Sequence, residues 1–509
     1  MRLLRRPLFI TQIVNTRPPR KDKRTMDNFQ DLTIKSAAEL LAHKKISAKE
    51  LALMSLKRIK QIDDKLHAFL YVAEDESMVA ADKADSAIAD GENFSLTGIP
   101  YAVKDNILVK GMQATAGSKI LENYKATYDA TVIKKLNEEQ PVLMGKTNPD
   151  EFGMGSSTEN SAYGPSFNPY DITRVPGGSS GGSAVAVASG EALFALGTDT
   201  GGSCRHPAAF CGIVGFKPTY GRCSRYGLMA LGSSLDQPGI LTKTVEDAAM
   251  VLQLMAGQDP FDSTTLPKPV PDYSQYFDKS IKGMKIGMPK EYFVAGLDPE
   301  VKSSIDHAIK KLQDLGAVVE ETSLPHIKYS LAAYYLILPV EISANLSRYD
   351  GIRYGLSVAG NNLEEVYFNT RSQGFGAEAK RRIMIGTYAS SAGYYDAYYK
   401  KAKQVQTLIR EEFKSAFSKY DLLLSPTTPG TAFKIGEKVN DPLAMYLEDI
   451  FTVALNIAGV PGMSMPVGLS KAGLPIGMQL IASHFAEEKL FQAGHALEQA
   501  LNIKLKPKL

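Results

Sequence analysis

The chain has 509 residues, 44% hydrophobic and 22% charged, a globular balance with no apolar run near the roughly 18–20 residues a membrane-spanning helix needs. The formal charge of +3 hides an asymmetry: residues 1–25 hold eight basic side chains and one acidic one, whereas the other 484 hold 50 basic and 54 acidic. That mildly acidic body excludes a broad nucleic-acid-binding face, which needs a phosphate-neutralising surplus.

Residues 1–25 are arginine-rich and nearly free of acid, as mitochondrial transit peptides are, but contain no serine. They read as a disordered extension or as sequence upstream of a start at Met26, with a transit peptide as the alternative. No unbroken apolar stretch suggests a secretory signal. From Ile34 to about Ala89, Leu40, Leu41, Leu51, Leu53, Leu56, Ile59 and Ile62 recur at helical spacing, which predicts an N-terminal helical layer over residues 26–92. From Leu96 to about Pro269, small residues crowd between short apolar runs, the pattern of α/β packing. Lys285–Pro325 reads strand, helix, strand, and Leu331–Val340 reads as a core segment. A long amphipathic helix is predicted from Tyr388 to about Lys419, with Tyr398, Ala402, Val405, Ile409, Phe413 and Phe417 on one face; DLLLS then reads as a strand. Cys204, Cys211 and Cys223 are odd in number and lack the paired spacing of a zinc site, which points to a reducing compartment.

Three segments carry the chemistry. AVKDN puts Lys104 directly after an apolar strand-like run, PGGSSGGSA packs four glycines and three serines into nine residues, and TDTGGS closes an apolar stretch on Ser203. A serine is a weak nucleophile until a base takes its proton, and lysine serves as that base when neutral. Desolvation beside Ile99–Val103 favours the neutral amine. Gly201 and Gly202 allow backbone N–H groups to approach a developing oxyanion. Each segment alone also has an inert reading: lone lysines are usually solvated, and glycine–serine runs are usually loops.

Competing motifs fail on context. Gly178–Gly182 fits G-x-S-x-G around Ser180, but the loop NPYDITRVP precedes it where a nucleophile elbow needs a strand. His484 and His495 have no link to Ser180, and His206 reads as structural. Gly145–Thr147 resembles the end of a P-loop, but Gln140 stands where its first glycine belongs.

Taken together, in order and at these spacings, the three segments resemble the amidase signature family from about Thr33 to the C-terminus. The resemblance implies an α/β fold, a mixed multi-stranded sheet flanked by helices, over residues 93–505. It also implies roles: Ser203 as nucleophile, Ser179 as a bridging serine on a cis peptide, Lys104 as base, and Thr200, Gly201 and Gly202 as the oxyanion loop. MGKTNPDEFGMGSSTENSAYGPSFNP, RYDGIRYG, KRRIMIGTYA and GYYDAYYKKA are similar to the glutaminase subunits of tRNA-dependent amidotransferases. That branch implies that Arg382, with Arg381 as rival, holds the α-carboxylate of glutamine and that Asp449 holds its α-ammonium.

The same resemblance implies no metal or other cofactor in this chain. ATP and Mg would be used by a B subunit that binds tRNA and serves as kinase and transamidase on misacylated Glu-tRNA(Gln) or Asp-tRNA(Asn). A small C subunit would complete a heterotrimer. The expected location is the cytoplasm, or the mitochondrial matrix if residues 1–25 are a transit peptide. Two departures stand beside the nucleophile, Cys204 and His206 where the family usually has isoleucine and glutamine. The alternative reading is a stand-alone amidase for small or aromatic amides, which would not need Arg382 and Asp449.

Overall fold

The computed structural model describes residues 29–92, 94–293 and 296–509, so the basic extension of residues 1–25 lies outside it. Helices α1 (Ile34–Ala42) and α2 (Ala48–Leu66) each begin on a capping box, Thr33 with Ser36 and Ser47 with Glu50. Leu51, Leu56, Ile59 and Ile62 are buried. The continuous helical character expected to Ala89 is broken by a strand, β1 (Phe69–Val72), before α3 (Glu74–Ala89). The aromatic and β-branched run FLYV pairs with a sheet edge, and that tertiary contact outweighs the helical pattern around it.

The other strands are β2 (Pro100–Lys104), β3 (Val142–Thr147), β4 (Phe194–Asp199), β5 (Val214–Lys217), β6 (Gln237–Thr242), β7 (Lys285–Pro289), β8 (Val318–Thr322), β9 (Leu422–Pro426), β10 (Gly462–Leu469) and β11 (Pro475–Ala482). Among the described residues they form one mixed sheet in the order β1-β3-β2-β4-β6-β5-β10-β11-β9-β7-β8. β2 runs parallel to both its neighbours, while β4 pairs antiparallel with β6. Both β2 and β4 are buried along their whole length, as expected of strands covered on both faces. They end on Lys104 and Asp199.

The helices that follow are α4 (Thr131–Asn137), α5 (Gly181–Ala188), α6 (Arg205–Cys211), α7 (Val245–Met255), α8 (Pro299–Asp314), α9 (Ser330–Asn345), α10 (Leu363–Gly374), α11 (Ala377–Ser390), α12 (Lys401–Phe417), α13 (Pro442–Tyr446), α14 (Val453–Ala458) and α15 (Glu487–Leu501). One core joins the sheet to α1–α5, α7, α8 and α15. A second lies beneath α9, α11, α12 and α14 and includes Tyr334, Ile337, Ile409, Phe413 and Leu455.

The strand–helix–strand expected over Lys285–Pro325 is β7, α8 and β8, and DLLLS supplies β9. The single helix expected from Tyr388 to Lys419 is instead two. α11 stops at Ser390, where Ser391 turns extended and Gly393 adopts φ +86°, and a π-helical turn, Asp396–Lys400, leads into α12. Ala402, Ile409 and Phe413 are buried as the periodicity predicts, but Tyr398 lies in the π-helical turn ahead of α12 and is exposed.

Candidate active site

Lys104 is fully buried at the end of β2. Its Nζ lies 2.8 Å from Ser179 Oγ, 3.0 Å from Ser180 Oγ and 3.0 Å from Thr198 Oγ1. No carboxylate among the described residues forms an ion pair with it. Burial pushes its pKa down to about 8. Depression alone is no signature, since burial also pulls Lys217 down to about 7 and Lys243 to about 8. Those two donate to backbone carbonyls, of Pro218 and of Gln30 and Leu32. Lys146, buried on β3 in the GKT segment, is paired with Asp105 at 3.1 Å. Lys104 alone of the four sits in a ring of hydroxyls, the surroundings of a base.

Ser179 and Ser180 reach it from the glycine-rich turn before α5, and Thr198 from β4. The Gly178–Ser179 peptide is cis, and the Ser179 carbonyl accepts from Asp150 N at 3.2 Å. Ser180 N donates to the Ser203 carbonyl at 3.0 Å, stitching this turn to the one that carries Ser203. Ser180 Oγ donates to the Thr198 carbonyl at 3.2 Å. Lys104 and Ser179 are thus in direct contact. Ser203 is joined to them through its backbone, and its hydroxyl has no partner among the described residues.

Asp199, at the end of β4, shapes the turn that carries Ser203. Its carboxylate accepts from Gly202 N at 3.0 Å and Cys204 N at 3.2 Å and pairs with the fully buried Arg205 at 3.0 Å. Burial alone would raise its pKa, but the Arg205 guanidinium holds the carboxyl well below the usual range. Arg205 is fixed in turn by Gln479 at 3.0 Å and Asn456 at 2.7 Å. The Gly202 N–H is engaged by Asp199, and the N–H groups left without an acceptor among the described residues are those of Thr200, Gly201 and Ser203. Gly202 matters for space instead: at φ +131°, a Cβ there would stand 2.6 Å from Thr452 Cβ. One at Gly201 would stand 2.5 Å from Tyr334 Cζ.

Arg382 faces inward from α11 and is buried, whereas the Arg381 side chain is 43% exposed. The Arg382 Cζ lies 5.2 Å from the ring centroid of Tyr335 and 5.3 Å from that of Tyr446. Asp449, on a short turn after α13, accepts from Ser156 Oγ at 2.9 Å and from the Tyr335 hydroxyl at 3.0 Å. Burial raises its pKa to about 6, against the opposing pull of His206, Ser156, Tyr335 and Arg382. Tyr335 therefore touches both residues that the resemblance paired. Thr452 joins them to the serine cluster: its Oγ1 donates to the Gly201 carbonyl at 2.5 Å and to the Asp449 carbonyl at 3.1 Å.

The histidines stand apart. His484 Nε2 lies 3.1 Å from the Ala458 carbonyl, and His495 packs on Phe277. His206 packs on Phe210, with its Nε2 3.7 Å from Glu448. None bonds Lys104, Ser179 or Ser203. All three cysteines are buried and free, and no group of three or more His, Cys, Asp or Glu side chains among the described residues is placed to hold a metal ion. Reading the sequence missed Thr198, Asp199, Arg205, Ser156 and Tyr335. Asp199 stood inside TDTGGS and Arg205 two residues beyond Ser203, so both were within reach; Ser156 and Tyr335 carried no local sign.

A family model described as Amidase matches residues 50–491. The A subunit of the glutamyl-tRNA(Gln) amidotransferase from Moorella thermoacetica is 55% identical over 470 residues, 92% of this chain and 96% of that protein. The crystal structure of its counterpart from Thermotoga maritima, also the A subunit of a glutamyl-tRNA(Gln) amidotransferase, superposes with a TM-score of 0.78 at 44% identity, covering 95% of this chain and 99% of that one. A bacterial aryl acylamidase of the amidase signature family reaches a TM-score of 0.80 at 26% identity, over 92% of this chain and 96% of its own. The chain belongs to the amidase signature family.

Proposed function

We propose that the chain is the glutaminase component of a tRNA-dependent amidotransferase, releasing ammonia from glutamine for a partner that amidates misacylated Glu-tRNA(Gln). Asp-tRNA(Asn) is the second candidate acceptor. The observation that carries this reading is the pairing of Arg382 and Asp449, a buried cation and a buried acid that both contact Tyr335, suited to an α-carboxylate and an α-ammonium. An amidase for simple neutral amides has no use for that pairing. The amidotransferase relative at more than half identity supports the same choice, whereas the aryl acylamidase is alike in fold at 26% identity.

Neutral Lys104 takes the Ser179 proton while Ser179 takes that of Ser203, whose Oγ attacks the carboxamide carbon. The N–H groups of Thr200, Gly201 and Ser203 receive the oxyanion. The proton returns through Ser179 to the leaving nitrogen, ammonia departs, and water cleaves the acyl-enzyme to glutamate by the same relay. Arg382 receives the α-carboxylate and Asp449 the α-ammonium. A B subunit would use ATP and Mg to activate the tRNA-borne carboxylate, and a C subunit would join the two in the cytoplasm.

The test uses the assembled complex. Ser203→Ala should abolish glutamine-dependent amidation and ammonia release yet leave amidation from free ammonium intact, because that reaction occurs in the partner. Ammonia release retained by Ser203→Ala would remove the nucleophile from the scheme.

A further inference from the structure

Arg382 carries more contacts than its proposed role requires. Glu378, one helical turn earlier on α11, accepts from Arg382 Nε at 2.7 Å. The same carboxylate accepts from the Tyr446 hydroxyl at 2.8 Å and from Arg381 Nη1. Tyr446 stacks on Tyr335 with ring centroids 3.9 Å apart, and Arg382 lies near both rings. A guanidinium presents five N–H donors around a rigid plane. Here Glu378 takes the Nε side and the tyrosines lie along it. The Nη1 and Nη2 groups have no acceptor among the described residues. That leaves the two-pronged edge, the one suited to a carboxylate, open.

We propose that Glu378 is a positioning residue that acts through Arg382, fixing the open edge of its guanidinium for the substrate α-carboxylate. The proposal rests on the reading of Arg382 as the carboxylate contact. Glu378 also explains why Arg382 rather than Arg381 has that part: one carboxylate engages both arginines and leaves Arg381 on the solvent side, 43% exposed, and Arg382 inside, 4% exposed. It further supplies a resident counter-charge, so the buried cation is paired before substrate arrives. The pair is built into the helix by its i,i+4 spacing. Tyr446 is the second leg of the same support, since it touches Glu378 through its hydroxyl and stacks on the Asp449 partner Tyr335 through its ring.

A purely structural Glu378 would lower activity on every substrate alike; a positioning Glu378 acts only where there is an α-carboxylate to bind. The assembled complex carrying Glu378→Gln is assayed for ammonia release from glutamine and from glutamine methyl ester, in which that carboxylate is masked. Losing the charge-assisted bond should raise the glutamine KM by about 10- to 100-fold with kcat nearly unchanged. The kcat/KM for the ester should match the parent. Tyr446→Phe keeps the stack and removes one bond to Glu378, so it should raise the glutamine KM in the same direction by about 3- to 10-fold. It carries the test should Glu378→Gln fail to assemble, with ammonium-dependent amidation reporting an intact complex. An unchanged glutamine KM, or equal losses on glutamine and ester, overturns the proposal. Arg382→Ala run in parallel separates the causes. If it raises the glutamine KM and the Glu378 and Tyr446 variants do not, only the positioning role falls; if it too leaves KM unchanged, the carboxylate reading falls with it.

Discussion

The serine cluster and the Arg382 pocket are held by opposite means. Lys104, Ser179 and Ser203 sit at the ends of buried central strands and on turns tied through their backbone groups: Ser180 N to the Ser203 carbonyl, Asp150 N to the Ser179 carbonyl, Gly202 N to the Asp199 carboxylate. Arg382 stands on a helix of the second core, fixed by side chains alone, Glu378, Tyr335 and Tyr446. Backbone-tied sites need glycines and short hydroxyl residues packed close together in the chain. A helix-borne site needs only side chains at helical spacing, which any amphipathic helix also has.

That difference sets what could be read in advance. PGGSSGGSA and TDTGGS are unusual locally because both turns press their backbone against neighbours: a Cβ at Gly181 or Gly182 would meet Thr158 or Asn148, and one at Gly201 or Gly202 would meet Tyr334 or Thr452. Lys104 was legible from the apolar run that became β2. Arg382 and Asp449 came only from the family resemblance, since nothing in KRRIM or LEDIF separates a binding arginine or aspartate from a solvated one. Asp449 reaches Ser156 across 293 positions of sequence, and no periodicity encodes that contact. Sheet membership of FLYV was missed for the same reason, since its partner β3 is distant in the chain, whereas the break after Ser390 is local, at the extended Ser391 and the positive φ of Gly393.

The largest expected effect tests the serine cluster. Lys104→Arg keeps a positive charge but cannot lose its proton, so kcat should fall by about 10²- to 10⁴-fold, as far as in Lys104→Ala. In the proposed scheme, the neutral amine is the working form. The rate should therefore be fullest above the Lys104 pKa of about 8 and decline as pH falls through it. A kcat/KM profile that stays flat from about pH 6 to about pH 9 would remove lysine as the base.

Gly202→Ala tests the link between the regions. The new Cβ would displace Thr452, which bonds both the Gly201 and Asp449 carbonyls. Loss of oxyanion alignment should reduce kcat by about 10²- to 10³-fold, and glutamine KM should rise with it. A variant that changes kcat alone would mean the two regions are independent.

Arg382→Ala probes the helical pocket by itself. It should weaken glutamine binding by about 2–5 kcal/mol, with far less effect on the chemical step. Binding should also weaken as pH falls through the Asp449 pKa of about 6, because the protonated carboxyl no longer pairs with an ammonium. Equal loss of KM and kcat in Arg382→Ala would place the arginine in the reaction itself.

The smallest effect is expected from the histidines, and it closes off the rival mechanism. In a histidine triad the imidazole must reach the nucleophile and be oriented by a third group. His484 instead bonds the Ala458 carbonyl, and His495 lies against Phe277, neither in contact with a serine of the cluster. His484→Asn and His495→Asn should therefore keep the rate within about threefold of the parent, the range of substitutions away from reacting atoms. His206 needs separate treatment, because it lies close to Glu448, the neighbour of Asp449. His206→Asn should leave kcat nearly intact and disturb glutamine KM at most, through the charge balance around Asp449. A folded complex silenced in kcat by any of the three, with Lys104 untouched, would transfer the proton relay from lysine to histidine.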